Sequence, residues 1–233
     1  MVGKIIHEIE KLSGNYSGYE IFSDWIKASA ICISNNTDIM QNNVWRKREE
    51  EYMALAKKHG KNNMQQFSNM LGMLAVALED NIEDVLGKIY MQAGLGSKQT
   101  GQFFTPFHVS SLTSRIALSS LDINAEKIKL NEPSVGGGGM IIAAAKELKE
   151  RGVNYQKVLE VTANDLDWKG VYMSYVQFSL LGIKAVVIQG DTLSGKKRTK
   201  EQYYYTPAWK GAFYERRINR ANTVALDEGK YRY

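Results

Sequence analysis

The chain has 233 residues, of which 44% are hydrophobic and 24% are charged, a balance typical of globular proteins that excludes a disordered chain. This length can bury a substantial core without disulfide bonds, and the one cysteine, Cys32, cannot form an internal disulfide. The apolar neighbours of Cys32 predict a buried thiol. No apolar stretch approaches the roughly 20 residues that span a bilayer, and charges run through the N-terminal segment, so we expect a cytoplasmic protein.

The net charge of +5 is unevenly placed. The segment from Lys196 to Arg220 holds eight basic and two acidic residues, with six aromatic residues among them. Basic and aromatic side chains together can neutralise phosphates and stack on bases, whereas a solvated tail would have the same composition. The three histidines are scattered without the spacing of metal ligands, so we expect neither a metal site nor a membrane interaction.

The first part of the chain has helical periodicity. Its longest periodic run has apolar residues at spacings of three and four, and it ends at Gly94 and Gly96. The apolar positions of that run are Met64, Phe67, Leu71, Leu74, Leu78, Ile82, Val85 and Ile89. The sequence therefore predicts a helical N-terminal region over residues 1–96.

From about residue 128 the pattern changes to short apolar runs that alternate with helical segments. Strands are predicted in IKLNEP, KVLEVTAND and KAVVIQGDTL, and a fourth in EQYYYTPAW. Helices are predicted in MIIAAAKELKERG and in WKGVYMSYVQFSLLGI. This alternation predicts an α/β domain over residues 97–233 with a short, mostly parallel, Rossmann-like sheet.

Four consecutive glycines, Gly136 to Gly139, lie between the first predicted strand and the helix after it. Ligands of open α/β sheets bind beyond the carboxyl ends of the strands, and glycines let a ligand approach the backbone closely. The free N–H groups at the start of the next helix add donors. A flexible linker is the alternative, but linkers do not usually interrupt a strand–turn–helix unit.

Glu132-Pro133-Ser134-Val135 precedes these glycines, and the whole turn resembles the [Asp/Glu]-Pro-x-x-Gly-x-Gly-Gly turn of DNA methyltransferases that use S-adenosylmethionine. About 30 residues upstream, GQFFTP resembles an element of type I restriction-modification subunits of the N6-adenine class. The resemblance implies that Phe104, Thr105 and Pro106 cover the methionine end of the cofactor. It also implies that Glu132, Pro133, Ser134, Gly136 and Gly138 shape the cofactor turn.

The ends of the next two strands extend the resemblance. In ANDLD, the family pattern implies that Asp165, with Asp167 as second choice, accepts hydrogen bonds from the ribose hydroxyls and that Leu166 flanks the adenine ring. In QGDTL, it implies that Asp191 accepts the adenine amino group. The alternative for the ANDLD carboxylates is a cap on the helix that begins at Trp168.

The catalytic element of N6-adenine methyltransferases is [Asn/Asp]-Pro-Pro-aromatic, and this chain contains no such string. The candidate in the expected order is Thr206-Pro207-Ala208-Trp209, with Thr206, Pro207 and Trp209 as catalytic residues. A threonine hydroxyl is the weaker acceptor, and losing one such acceptor costs about a hundredfold to a thousandfold in rate.

Two functions follow from the resemblance. The first is an S-adenosylmethionine-dependent DNA adenine-N6 methyltransferase of reduced activity, with DNA as partner. The second is a catalytically silent module that binds the cofactor and acts as regulator, decoy or subunit of a partner methyltransferase. For either function, recognition of a DNA sequence would need a partner or specificity subunit, or would be absent. Methylation of RNA or of a protein glutamine uses related elements and stays open.

Overall fold

The structure is a computed structural model that describes residues 1–95, 104–122 and 124–211. Gly101, Gln102 and Phe103 of the GQFFTP element lie outside these ranges. The part of the basic segment that follows Gly211 also lies outside them.

Four helices form the N-terminal region, as the periodicity predicts. They are α1 (Val2–Leu12), α2 (Gly18–Asn36), α3 (Asn43–Asp80) and α4 (Val85–Gln92). Gly60 has φ 73° and ψ 168° inside α3, so the helix is interrupted at this residue. The run predicted as one long helix is divided at Asn81–Asp84, because the Asp84 side chain caps a new helix by accepting the Gly87 N–H.

The second part contains strands and helices in alternation. Helix α5 (Phe107–Ala117) is followed by β1 (Ile128–Glu132), α6 (Gly139–Glu150), the short α7 (Tyr155–Val158) and β2 (Leu159–Asp165). Next come α8 (Trp168–Leu180), β3 (Lys184–Gln189), a turn of 3₁₀ helix (Lys200–Gln202) and β4 (Tyr203–Tyr205). The strand and helix predictions are confirmed within a few residues at each end.

The sheet has the strand order β1-β2-β3-β4. The first three strands are parallel, with Glu132 opposite Ala163 and Asp165 opposite Gln189 at their carboxyl ends. β4 is antiparallel to β3, and Tyr203 pairs with Ile188 while Tyr205 pairs with Val186. The predicted fold class, a short and mostly parallel α/β sheet preceded by a helical region, is confirmed.

One hydrophobic core runs from the N-terminal helices into the sheet. Helix α2 packs against α8, and α8 in turn packs on β2 and β3. Trp25 of α2 is fully buried, and its indole N–H donates to the Phe67 carbonyl of α3 over 3.0 Å. The two regions of sequence are therefore held together by shared apolar burial.

The expectation that Cys32 is buried is wrong. Its neighbour Ile31 points into the core, whereas Cys32 lies on the exposed side of α2, because consecutive residues of a helix face different directions. In the part of the chain that the structure describes, no helix is long and apolar enough to cross a membrane.

Candidate functional site

The glycine turn joins the carboxyl end of β1 to helix α6. Gly136 and Gly138 have positive φ values of 52° and 98°, which L-residues with side chains rarely adopt. The Gly138 N–H donates to the Val135 carbonyl, and the Ile142 N–H donates back to the Gly138 carbonyl as α6 begins. Glycine is thus required by the backbone path at two of the four positions.

Neighbouring side chains also crowd the turn. A Cβ atom at Gly138 would lie 2.8 Å from the ring of Phe178 on α8, and one at Gly136 would lie 3.1 Å from the ring of Phe104. At Gly137 it would lie 3.3 Å from both the Asp84 carboxyl and Met173. Close packing inside the protein therefore accounts for these missing side chains, and the approach of a ligand stays a prediction.

Asp165 holds the turn from the neighbouring strand. One oxygen of its carboxyl accepts the Gly136 N–H over 2.7 Å, and the other accepts the Asp167 N–H over 2.9 Å. The Val135 N–H donates to the carbonyl of Asn164, the residue before Asp165. Asp165 is only 8% exposed, so its carboxyl is largely buried against the glycine turn. Each carboxylate oxygen has two lone pairs and can accept a further donor.

The end of β3 lies beside Asp165. The Gly190 N–H donates to the Asp165 carbonyl over 2.8 Å, which places Asp191 next to the same edge. Asp191 is exposed, and the Thr192 hydroxyl donates to the Pro133 carbonyl of the glycine turn over 2.9 Å. Leu166, the residue after Asp165, is 69% exposed, so an apolar side chain is available there to a planar ring.

The second carboxylate of the ANDLD segment has a structural role. The Asp167 side chain caps α8 by accepting the Lys169 N–H over 3.0 Å, as the capping alternative anticipated for this segment. The two carboxylates therefore have different roles: Asp165 accepts a hydrogen bond from the glycine turn, whereas Asp167 caps α8.

The Phe104-Thr105-Pro106 segment reaches the glycine turn through Phe104. The Phe104 ring packs edge-on against Tyr90 with ring centroids 5.0 Å apart and covers Gly136. Pro106 is the N-cap of α5, and all three residues line a cavity of about 720 Å³ between α4 and α5. Asp165, Leu166 and Asp191 do not line this cavity.

The remaining turn residues lie at the carboxyl end of β1. Pro133 and Ser134 are exposed, and the Glu132 carboxyl accepts the Ser134 N–H over 3.1 Å. The structure thus brings Phe104, the glycine turn, Asp165 and Asp191 to one edge of the sheet.

The structure places the end of β4, with Thr206, away from the glycine turn, a position that does not support the catalytic role predicted for Thr206, Pro207 and Trp209. Because β4 runs antiparallel to β3, its carboxyl end lies at the amino ends of the parallel strands, at the opposite edge of the sheet from the glycine turn. The Thr206 hydroxyl donates to the Ile183 carbonyl over 2.8 Å and accepts the Ala185 N–H over 3.0 Å. Thr206 is fully buried, and its hydroxyl supports the sheet through these two hydrogen bonds.

Two residues that the sequence did not single out also hold the turn. The buried Asp84 carboxyl, at the start of α4, accepts from the Gln177 amide over 2.8 Å. The same Gln177 amide donates to the Gly137 carbonyl over 2.7 Å. Burial raises the pKa of Asp84 above its usual range, against the lowering effect of the Gln177 and Gly87 hydrogen bonds. In the sequence, the signal for Asp84 was an aspartate within an apolar run, a residue type that commonly caps the start of a helix.

The described residues contain no group of histidine, cysteine and carboxylate side chains that could hold a metal ion. The site is therefore built from backbone amides, carboxylates and apolar side chains, which suit an organic ligand with hydroxyl or amino groups.

Comparisons with known proteins identify the family of this chain. A search of curated proteins finds no match. A Listeria monocytogenes crystal structure, of a protein assigned to the class I S-adenosylmethionine-dependent methyltransferases, is similar at a TM-score of 0.42 and 11% identity. The alignment covers 84% of this chain and 56% of that protein, so the chain spans little more than half of its relative. The N-6 DNA methylase model matches residues 81–223, more than half of the chain, and the chain therefore belongs to the N-6 DNA methylase family.

Proposed function

We propose that this chain binds S-adenosylmethionine at the carboxyl edge of its sheet and serves methyl transfer to N6 of adenine in DNA. The observation that carries the proposal is the clamp of the Asp165 carboxyl on the Gly136 N–H at 2.7 Å. This hydrogen bond joins the glycine turn to the acidic end of the next strand. A bound nucleoside would contact the backbone of the turn and the carboxylate at the strand end.

The residues at this edge fit the cofactor chemically. A carboxylate that holds the turn can also accept the ribose hydroxyls, and the exposed Leu166 offers an apolar face to adenine. Asp191 accepts the adenine amino group in this proposal, and the Phe104 ring excludes water above Gly136. The proposed cofactor residues are Phe104, Thr105, Pro106, Glu132, Pro133, Ser134, Gly136, Gly138, Asp165, Leu166 and Asp191.

The cofactor supplies an electrophilic methyl group carried on a sulfonium. The role of the protein is to orient that methyl group and to exclude water from it. The hydrogen-bonded turn favours a fixed orientation, and the Phe104 ring favours exclusion of water. Because Thr206 is buried at the opposite edge, we assign the adenine amino group no partner in the Thr206–Trp209 element.

DNA is the proposed partner because of the family and the basic loop between β3 and β4. Lys196, Lys197 and Lys200 are exposed, and this loop leaves the sheet at the same edge as Asp191. The Arg198 guanidinium donates to the Asp191 carbonyl over 3.3 Å, which ties the loop to that edge. Exposed lysines in this place can neutralise phosphates near the cofactor crevice.

The position of Thr206 favours a second candidate function. A module with the cofactor crevice but without a catalytic acceptor of its own would act as regulator, decoy or subunit of a partner methyltransferase. The two candidates share the cofactor site and differ in whether the chain alone transfers a methyl group.

The experiment is a calorimetric titration with S-adenosylmethionine, followed by transfer of tritiated methyl groups to DNA of mixed sequence. We expect binding by the wild-type chain and a loss of at least tenfold in affinity for Asp165→Ala, since two backbone N–H groups lose their acceptor. Asp122→Ala is the matched control, because Asp122 also accepts the N–H two residues later but lies outside the site.

Unchanged affinity in Asp165→Ala would contradict the proposed site. Binding without label in DNA, RNA or protein would favour the silent module, whereas label recovered as N6-methyladenine would favour the enzyme.

A further inference from the structure

A buried polar connection runs from the N-terminal helices to the glycine turn. Gln177, in the last turn of α8, is fully buried and uses both ends of its amide. Its oxygen accepts the Leu86 N–H of α4 over 3.0 Å, and its nitrogen donates to the Gly137 carbonyl over 2.7 Å and to the Asp84 carboxyl over 2.8 Å. Three separate parts of the chain thus meet at one side chain.

The Asp84 carboxyl completes the connection. One oxygen accepts both the Gln177 amide and the Gly87 N–H, at 2.8 Å each. The other oxygen is directed at the turn, 3.3 Å from where a Cβ atom would lie at Gly137 and at Gly139. Asp84 also lines the cavity beside the Phe104-Thr105-Pro106 segment.

Together with Asp165, these contacts hold the turn on two sides. Asp165 accepts the N–H of Gly136, and Gln177 donates to the carbonyl of Gly137. These hydrogen bonds orient the peptide group before Gly136 and the peptide group after Gly137. Glycine is the residue with the most backbone freedom, so a glycine turn needs such partners to stay in one conformation.

We propose that Asp84 and Gln177 are positioning residues through which helix α4 sets the conformation of the glycine turn and so tunes its affinity for the cofactor. This inference rests on the proposed function for its ligand, S-adenosylmethionine. Its structural part, an ordered turn that depends on Gln177, can be measured without any ligand.

Gln177→Leu removes both ends of the amide at similar side-chain size. The turn carbonyl and the Leu86 N–H then lose their partners inside the core, which favours an alternative turn conformation. We expect amide hydrogen exchange in residues 133–142 of the unliganded protein to accelerate at least tenfold, with no comparable change in β2. In calorimetry, we expect a loss of at least tenfold in affinity for S-adenosylmethionine.

Gln156→Leu is the matched control, because the Gln156 amide also donates to a backbone carbonyl, that of Leu181, away from the turn. We expect its turn exchange and its affinity to stay within twofold of wild type.

A pair of variants at Asp84 keeps the test valid if Gln177→Leu does not fold. Asp84→Ala removes the acceptor for Gln177 and is expected to accelerate turn exchange, whereas Asp84→Asn keeps an acceptor oxygen and a helix cap and is expected to restore slow exchange.

Wild-type exchange in the turn of folded Gln177→Leu, or of folded Asp84→Ala, would overturn the inference. If the wild-type chain does not bind S-adenosylmethionine, the proposed function fails, and the exchange comparison still decides whether Gln177 orders the turn.

Discussion

Gly138 provides a quantitative test of why the turn is rich in glycine. Its φ of 98° is unfavourable for any L-residue with a side chain, at a cost of about 1–3 kcal/mol. A Cβ atom there would also lie 2.8 Å and 3.1 Å from two ring atoms of Phe178, which is fully buried on α8. Inserting a methyl group into such a packed region costs about 1–3 kcal/mol more.

Gly152 is the matched control for Gly138→Ala. It follows the other end of the same helix, α6, with a φ of 78°, and a Cβ atom there would have nothing within 4 Å. The backbone strain and the change in unfolded-state entropy are similar for both substitutions, so their difference isolates the contact with Phe178. We expect Gly138→Ala to destabilise the fold by about 1–3 kcal/mol more than Gly152→Ala.

The assay is urea denaturation of both variants followed by circular dichroism, with linear extrapolation to water. A third protein, Gly138→Ala with Phe178→Leu, lacks the two ring atoms that the new methyl group would meet. We expect its destabilisation to be smaller than the sum of the two single effects by about 1 kcal/mol, since neighbouring sites couple. Free energies of unfolding for Gly138→Ala and Gly152→Ala that agree within about 0.5 kcal/mol would refute the reasoning.

Three further experiments test other parts of the structure. Because burial raises the pKa of Asp84 above its ordinary value, the stabilising contribution of this carboxyl is complete below the unfolded-state pKa and is lost as pH rises through the folded-state pKa. Asp84→Asn should therefore gain stability relative to wild type in urea titrations as pH rises above the ordinary aspartate pKa, and a pH-independent difference would contradict this. Thr206→Val should cost about 1–3 kcal/mol of stability, because it removes both hydrogen bonds of the Thr206 hydroxyl, and should leave the calorimetric affinity for S-adenosylmethionine unchanged. Thr206→Asn should not raise methyl transfer, and a rise would assign this residue to the active site. In the double variant Lys196→Ala and Lys197→Ala, the slope of log affinity for DNA against log salt concentration should become less steep by about 0.9 for each phosphate that the protein no longer neutralises. Fluorescence anisotropy at several salt concentrations measures this slope, and an unchanged slope would exclude a contact of these lysines with DNA phosphates.

Much of the secondary structure could be predicted from local sequence. Buried parallel strands are short apolar runs bounded by turn residues, which is why β1, β2 and β3 were found close to their observed bounds. Asp165 is the last residue of β2, and the glycine turn and Asp191 lie within a few residues of the ends of β1 and β3. In a parallel sheet, consecutive strand ends meet at one edge, so their proximity was also predictable.

The direction of β4 could not be predicted in this way. The apolar pattern of a strand is the same whichever way it runs, and its pairing is decided by distant contacts. Here Arg48 of α3 donates to the Tyr203 carbonyl over 2.8 Å and lies 3.7 Å from the centre of the Tyr204 ring. The hydrogen bond from Arg48 to Tyr203 joins residues 155 positions apart. Because β4 is antiparallel to β3, Thr206 lies at the opposite edge of the sheet from the glycine turn.

The sequence by itself therefore determined the order of helices and strands, the glycine turn and the acidic strand ends, because each of these depends on neighbouring residues. The tertiary structure alone decided which side chains hold the turn: Gln177 and Asp84 meet across 93 positions, and Phe178 reaches Gly138 from another helix. Such contacts depend on how the helices pack on the sheet, and no local pattern encodes that packing.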